Sequence, residues 1–84
     1  MSVDQIREVI RLSVNRITGI PATEVQDSSS FQNDLGLDSL SSLEVMVDVE
    51  YAFKIKVPEE RLQSIKTVQD TIQAVQEYVA AAKS

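Results

Sequence analysis

Asp34-Leu35-Gly36-Leu37-Asp38-Ser39-Leu40, followed by Leu43-Glu44, is the stretch on which the reading of this chain turns. Gly36 is a poor helix interior residue and Asp38 a favoured N-cap, so the stretch marks a loop giving way to a helix. From there Leu40, Leu43, Met46/Val47, Val49/Glu50 and Phe53 supply a broad apolar stripe, which predicts a helix from Asp38 or Ser39 to about Phe53. Ser41, Glu44, Asp48 and Tyr51 lie three or four positions apart and share another face. Ser39 sits at the junction, where a hydroxyl is exposed and held in a fixed direction. Free backbone N–H groups at a helix N-terminus favour a phosphate nearby. Such a serine is a good acceptor for a phosphodiester-linked group. Nothing beside it would activate it as a nucleophile, so a separate enzyme would have to modify it. The plainer alternative makes Ser39 a second capping residue beside Asp38.

Working outward toward the N-terminus, residues from Thr18 to Leu37 contain Gly19, Pro21, Ser28-Ser29-Ser30, Asn33 and Gly36, a composition that excludes a helix interior. Ile20, Val25, Phe31, Leu35 and Leu37 give this long connection apolar anchors, so it is expected to be ordered and packed over the helices. Ahead of it, Val3, Ile6, Val9/Ile10, Val14 and Ile17 recur at helical spacing, with Ser2 as N-cap and Thr18-Gly19-Ile20-Pro21 as the stop. Toward the C-terminus, Pro58-Glu59-Glu60 opens a short third helix ending near Ser64. Thr67 caps a fourth helix striped by Val68, Ile72, Val75 and Val79, with Asp70 as capping-box partner and the Ala80-Ala81-Ala82-Lys83-Ser84 end expected to fray. The only strand signal is the short alternation Lys54-Ile55-Lys56-Val57. The expected fold is all-α: a small four-helix bundle, three longer helices and one short, with a long ordered loop between helices 1 and 2.

Composition narrows the chemistry. The chain has 84 residues, room for one domain spanning 1–84, and 43% of them are hydrophobic. Cysteine and histidine are both absent. No disulfide, thiolate nucleophile, Ser-His-Asp triad or Cys/His metal site is possible, and the commonest general base is missing. Asp27, Asn33 and Asp34 do not follow the calcium-loop spacing, so no metal site is expected. No apolar stretch approaches the ~20 residues of a membrane helix, and the simplest expectation is a soluble, cytoplasmic monomer. The net charge of −5 disfavours nucleic acid and anionic membranes. Between Arg16 and Lys54 stand seven acids (Glu24, Asp27, Asp34, Asp38, Glu44, Asp48 and Glu50) and no basic residue. That predicts a negative face that steers basic partners, and mutual repulsion that Mg²⁺ or salt would relieve.

The segment 34–40 resembles the attachment site of acyl carrier proteins, the phosphopantetheine-binding carrier family. The resemblance extends through Glu44, Phe53, Ile55-Lys56-Val57-Pro58-Glu59-Glu60 and Ile65-Lys66-Thr67-Val68, in order and at matching spacing, and covers nearly the whole chain. It implies a discrete carrier, not an enzyme. Ser39 would bear 4′-phosphopantetheine, donated by coenzyme A through a phosphopantetheinyl transferase, and acyl chains would ride as thioesters on the arm's thiol. Asp38 and Leu40 would flank the attachment site, Asp38 capping the helix and helping to position the transferase's metal. The second helix would be the docking surface for acyl and ketoacyl synthases, acyltransferases, reductases and dehydratases with basic patches, through Glu44 and Asp48, with Leu40 and Met46 as apolar contacts. Phe31, Met46, Val49, Leu62 and Ile65 would line the space for a folded-back acyl chain.

The chain departs from fatty-acid carriers in three places. Ser41 stands where they usually have an acid, Tyr51-Ala52 replace part of an acidic run, and Lys54 and Lys56 add positive charge. Fatty-acid and polyketide synthesis both stay open as pathways. The alternatives are a carrier of aminoacyl or peptidyl thioesters and an unmodified helical adaptor, in which Ser39→Ala would change nothing.

Overall fold

In a computed structural model, which describes residues 2–83, the chain folds into α1 (Val3–Thr18), α2 (Ser39–Phe53), α3 (Glu59–Leu62) and α4 (Val68–Lys83), with a single 3₁₀ turn at Ala22–Glu24 inside the first loop. The all-α, four-helix expectation holds: three helices are long and α3 is one turn. Among the described residues the only β-type pairing is an isolated antiparallel bridge between Ser30 and Thr67. No helix among them is long and apolar enough to cross a membrane.

The helix ends follow local chemistry. Ser2 caps α1 with a complete capping box, its hydroxyl accepting from Gln5 N–H while the Gln5 side chain accepts from Ser2 N–H. Gly19 closes that helix in the left-handed conformation at φ 79°, where a side chain would be strained. At α4, Thr67 Oγ1 accepts from Asp70 N–H at 3.1 Å and the Asp70 carboxylate accepts from Thr67 N–H at 3.2 Å, so aspartate completes the box. The final helix continues through the alanines to Lys83, in keeping with alanine's high helix propensity; Ser84 lies outside the described residues. The short alternation 54–57 is no strand: Lys54 ends α2 in the left-handed region at φ 55°, and Val57 N–H is held by the Glu50 carboxylate at 2.8 Å. α3 stops at Leu62, two residues before the expected end near Ser64.

The core is built from Ile6, Ile10 and Val14 of α1, Val45 and Val49 of α2, and Val68, Ile72 and Val75 of α4. α1 packs on α2 and α4, and α2 on α4, whereas α3 packs closely on none of the three. The long first loop is part of this core. Val25, Phe31, Leu35 and Leu37 are buried among the helix side chains. Its backbone is tied to the α3–α4 connection through Phe31 N–H to Lys66 O (3.0 Å), Val68 N–H to Ser29 O (3.1 Å) and Gln69 N–H to Asp27 O (2.8 Å). These bonds satisfy peptide groups that burial would otherwise leave unpaired.

The acids of the middle third are not the unrelieved cluster that their order along the chain predicts. Arg7 donates Nε and Nη2 to the two Asp27 oxygens at 2.7 and 2.8 Å, and Arg16 pairs with Asp48. Cations from α1 thus neutralise two of the seven, which weakens the expected response to Mg²⁺ or salt. The Arg7 fork holds the Asp27 carboxyl below the usual carboxylate range, more than offsetting its partial desolvation. A carboxyl whose pKa is lowered by folding adds stability above its ordinary value of 3.8, and that stability is lost as pH falls through the folded value. Asp27→Asn is therefore expected to lower the melting temperature at neutral pH, with the gap to the parent closing in acid. Melts that stay equally far apart below pH 3.8 would show that the loss is not of this carboxylate's charge.

Candidate functional site

Asp38 is the α2 N-cap, with its carboxylate accepting from Ser41 N–H at 2.8 Å. That backbone bond, helped by the Ser41 hydroxyl, holds the Asp38 carboxyl below the usual range, so a full negative charge stands at the helix mouth at neutral pH. With the cap supplied by Asp38, Ser39 becomes the first residue of α2, and its exposed hydroxyl takes part in none of the side-chain hydrogen bonds of the described structure. The alternative of Ser39 as a second cap finds no support in this geometry. The approach to the pair is tied into the fold. Gly36 sits at φ 67°, a left-handed position that favours glycine. On either side of it, Leu35 and Leu37 are buried, and Leu37 N–H reaches Phe31 O at 2.8 Å. The loop side chains go inward and leave Asp38, Ser39 and Leu40 outside.

Ser39 also lies on the rim of a cleft of about 520 Å³ between α2, α3 and the first loop. The cleft exists because α3 stands off from the long helices. Of the residues expected to line it, Phe31, Met46, Leu62 and Ile65 do so. Val49 does not: it is fully buried in the core with Val45. Ser42, Leu43 and Gln63 line the cleft as well, and none of the three was expected there.

The outer face of α2 differs from expectation in two residues. Leu40 and Glu44 are exposed as anticipated. Met46 is 4% exposed and faces the cleft, so it is no surface contact. Asp48 is half-buried against α1, accepting from the Ser13 hydroxyl at 2.5 Å and from Arg16, which occupies the charge offered to a partner. In their place the exposed apolar residues are Leu40 (69%), Leu43 (46%), Val47 (59%) and Tyr51 (87%). The signal for them was present but ambiguous. α2 is apolar around most of its circumference, so periodicity alone does not say which apolar residues face inward.

The donor set matches a covalently tethered phosphate ester better than a bound catalyst. The hydroxyl is exposed and free, with the orphan N–H groups of a helix start around it. Among the described residues no group of His, Cys, Asp and Glu is arranged to hold a metal.

Comparison with known proteins agrees with this arrangement. The family model described as the phosphopantetheine attachment site matches residues 8–75. An acyl carrier protein of Acidothermus cellulolyticus is 35% identical over 82 residues, covering 98% of this chain and 93% of that protein. An acyl carrier protein of Thermobifida fusca is 39% identical over 74 residues, covering 88% of this chain and 89% of its own. With a family match across most of its length and relatives of nearly equal extent, the chain belongs to the acyl carrier proteins, whose cofactor is covalently attached 4′-phosphopantetheine.

Proposed function

We propose that residues 1–84 form one carrier domain in which Ser39 Oγ bears the 4′-phosphopantetheine arm, and that the chain holds acyl intermediates as thioesters for fatty-acid or polyketide biosynthesis. The observation that carries this reading is the division of labour at the helix mouth: Asp38 caps α2 and leaves the neighbouring hydroxyl exposed and unbonded. The chain is a substrate for other enzymes rather than a catalyst, since it contains no histidine or cysteine to activate Ser39. A phosphopantetheinyl transferase attaches the arm. On incubation with coenzyme A and such a transferase, the intact mass is expected to rise by one phosphopantetheine. A protein that no transferase modifies overturns the proposal.

Partner enzymes reach the arm over the outer face of α2. Leu40, Leu43, Val47 and Tyr51 form an apolar strip there, with the exposed carboxylates of Asp38 and Glu44 at the Ser39 end of the helix. This favours partners with an apolar docking patch flanked by Arg or Lys near their active-site entrance. Val47→Asp and Glu44→Lys are each expected to raise the KM of a transferase or synthase for the carrier while leaving the melting temperature nearly unchanged, because both positions are solvent-facing. Asp48→Asn, by contrast, is expected to lower the melting temperature through loss of its contacts with α1. Unaltered KM values for both surface variants would move docking to another face.

A further inference from the structure

Ser42 differs from the three buried hydroxyls of the described residues. Ser13 donates to Asp48, Ser29 accepts from Gln26 N–H and Thr71 donates to Thr67 O. Ser42 lies one turn into α2 from Ser39, half-buried, on the wall of the cleft. Its backbone N–H is used on Asp38 O at 2.9 Å, but its side-chain oxygen takes part in none of the side-chain hydrogen bonds of the described structure. It therefore depends on water that enters through the cleft. The same cleft is lined by the apolar Met46, one turn further along α2, and by Phe31, Leu62 and Ile65.

A chain that fills the cleft displaces that water. A saturated chain buries methylenes well against Phe31 and Met46, but it leaves the Ser42 hydroxyl without a partner, and a desolvated unpaired hydroxyl is unfavourable. A chain with an oxygen near its thioester removes that penalty, because a serine hydroxyl donates to a carbonyl and accepts from or donates to a hydroxyl. We propose that the cleft holds 3-hydroxy and 3-oxo acyl chains more firmly than saturated chains of equal length, with Ser42 as the specificity-determining hydroxyl. This inference rests on the carrier reading and deepens it by naming the acyl class the cleft retains.

The test loads the full chain at Ser39 from octanoyl- or 3-hydroxyoctanoyl-coenzyme A with a phosphopantetheinyl transferase. Cleavage of each thioester by hydroxylamine is compared with that of the same thioester on free pantetheine, and the amide resonance of Ser42 is followed by NMR. The 3-hydroxy chain is expected to be protected roughly three- to tenfold more than octanoyl, the factor that one net hydrogen bond supplies, with a shift at Ser42 specific to it. Ser42→Ala is expected to erase the difference without lowering octanoyl protection, and Ser42→Thr, which keeps the hydroxyl, to restore it. Equal protection of the two chains in the parent, or a difference that persists in Ser42→Ala, overturns the inference while leaving the carrier reading intact. Failure of both chains to load at Ser39 overturns the carrier reading and this inference with it.

Discussion

Phe31→Ala is expected to cost about 3–5 kcal/mol, the usual penalty for emptying a buried aromatic site. At about 0.05–0.15 kcal/mol per residue, a chain of 84 residues has only about 4–13 kcal/mol in total. The variant therefore gives up from about a quarter to all of that stability. The cost is large because Phe31 is 3% exposed and belongs to two structures at once. It is the loop's anchor in the core, and it forms a wall of the cleft beside Ser39. Its backbone N–H also ties the loop to Lys66 O, and its carbonyl accepts from Leu37 N–H within the loop. Urea unfolding monitored by circular dichroism measures the loss. Phe31→Leu, which keeps most of the apolar volume, is expected to lose less than half as much. A loss below about 1 kcal/mol for the alanine variant would mean that the ring serves the cleft and not the core, because partly solvated side chains contribute little to stability.

Ser39→Ala is expected to abolish phosphopantetheine attachment completely while leaving the fold as it is. The exposed side chain makes no hydrogen bond, and the cap belongs to Asp38, so stability should change by no more than about 0.5 kcal/mol. Intact-mass measurement after incubation with coenzyme A and a transferase reads the first effect, and a thermal melt the second. Asp38→Ala is the informative neighbour. Removing the carboxylate that caps α2 is expected to lower the melting temperature, because the Ser41 N–H loses its acceptor. A Ser39→Ala protein that still gains the mass of the arm would place the attachment elsewhere, and one that melts well below the parent would make Ser39 a structural residue.

Much of the fold was legible along the chain because its signals are local. Ser2 with Gln5 and Thr67 with Asp70 are capping pairs within one turn, Gly19 and Gly36 stand where the backbone is left-handed, and α1 and α4 carry clear apolar stripes. The four helices were expected close to where they lie, and the Asp38–Ser39 junction was legible for the same reason. The candidate site was legible only in part. The stripe of α2 ran Leu40, Leu43, Met46 and Val49 together, yet Leu40 and Leu43 face out while Met46 and Val49 are buried, and Val45, which the stripe omitted, is in the core. A helix apolar on nearly every side has no preferred inner face until α1 and α4 select one.

Charge followed the same division. The run of acids is a property of sequence order, but its effect depends on partners far along the chain: Arg7 to Asp27 across 20 residues and Arg16 to Asp48 across 32. By itself the order of residues determined the helices, their caps, the ordered loop and the serine at the mouth of α2, because each depends on neighbours within a turn or two. The tertiary structure alone decided that Asp48 is withdrawn, that Val49 is core rather than cleft, that Met46 faces inward, and that Ser42 borders the cavity with its hydroxyl free. Those outcomes depend on which distant surfaces meet, and that is set by the packing of α1, α4 and the loop around α2.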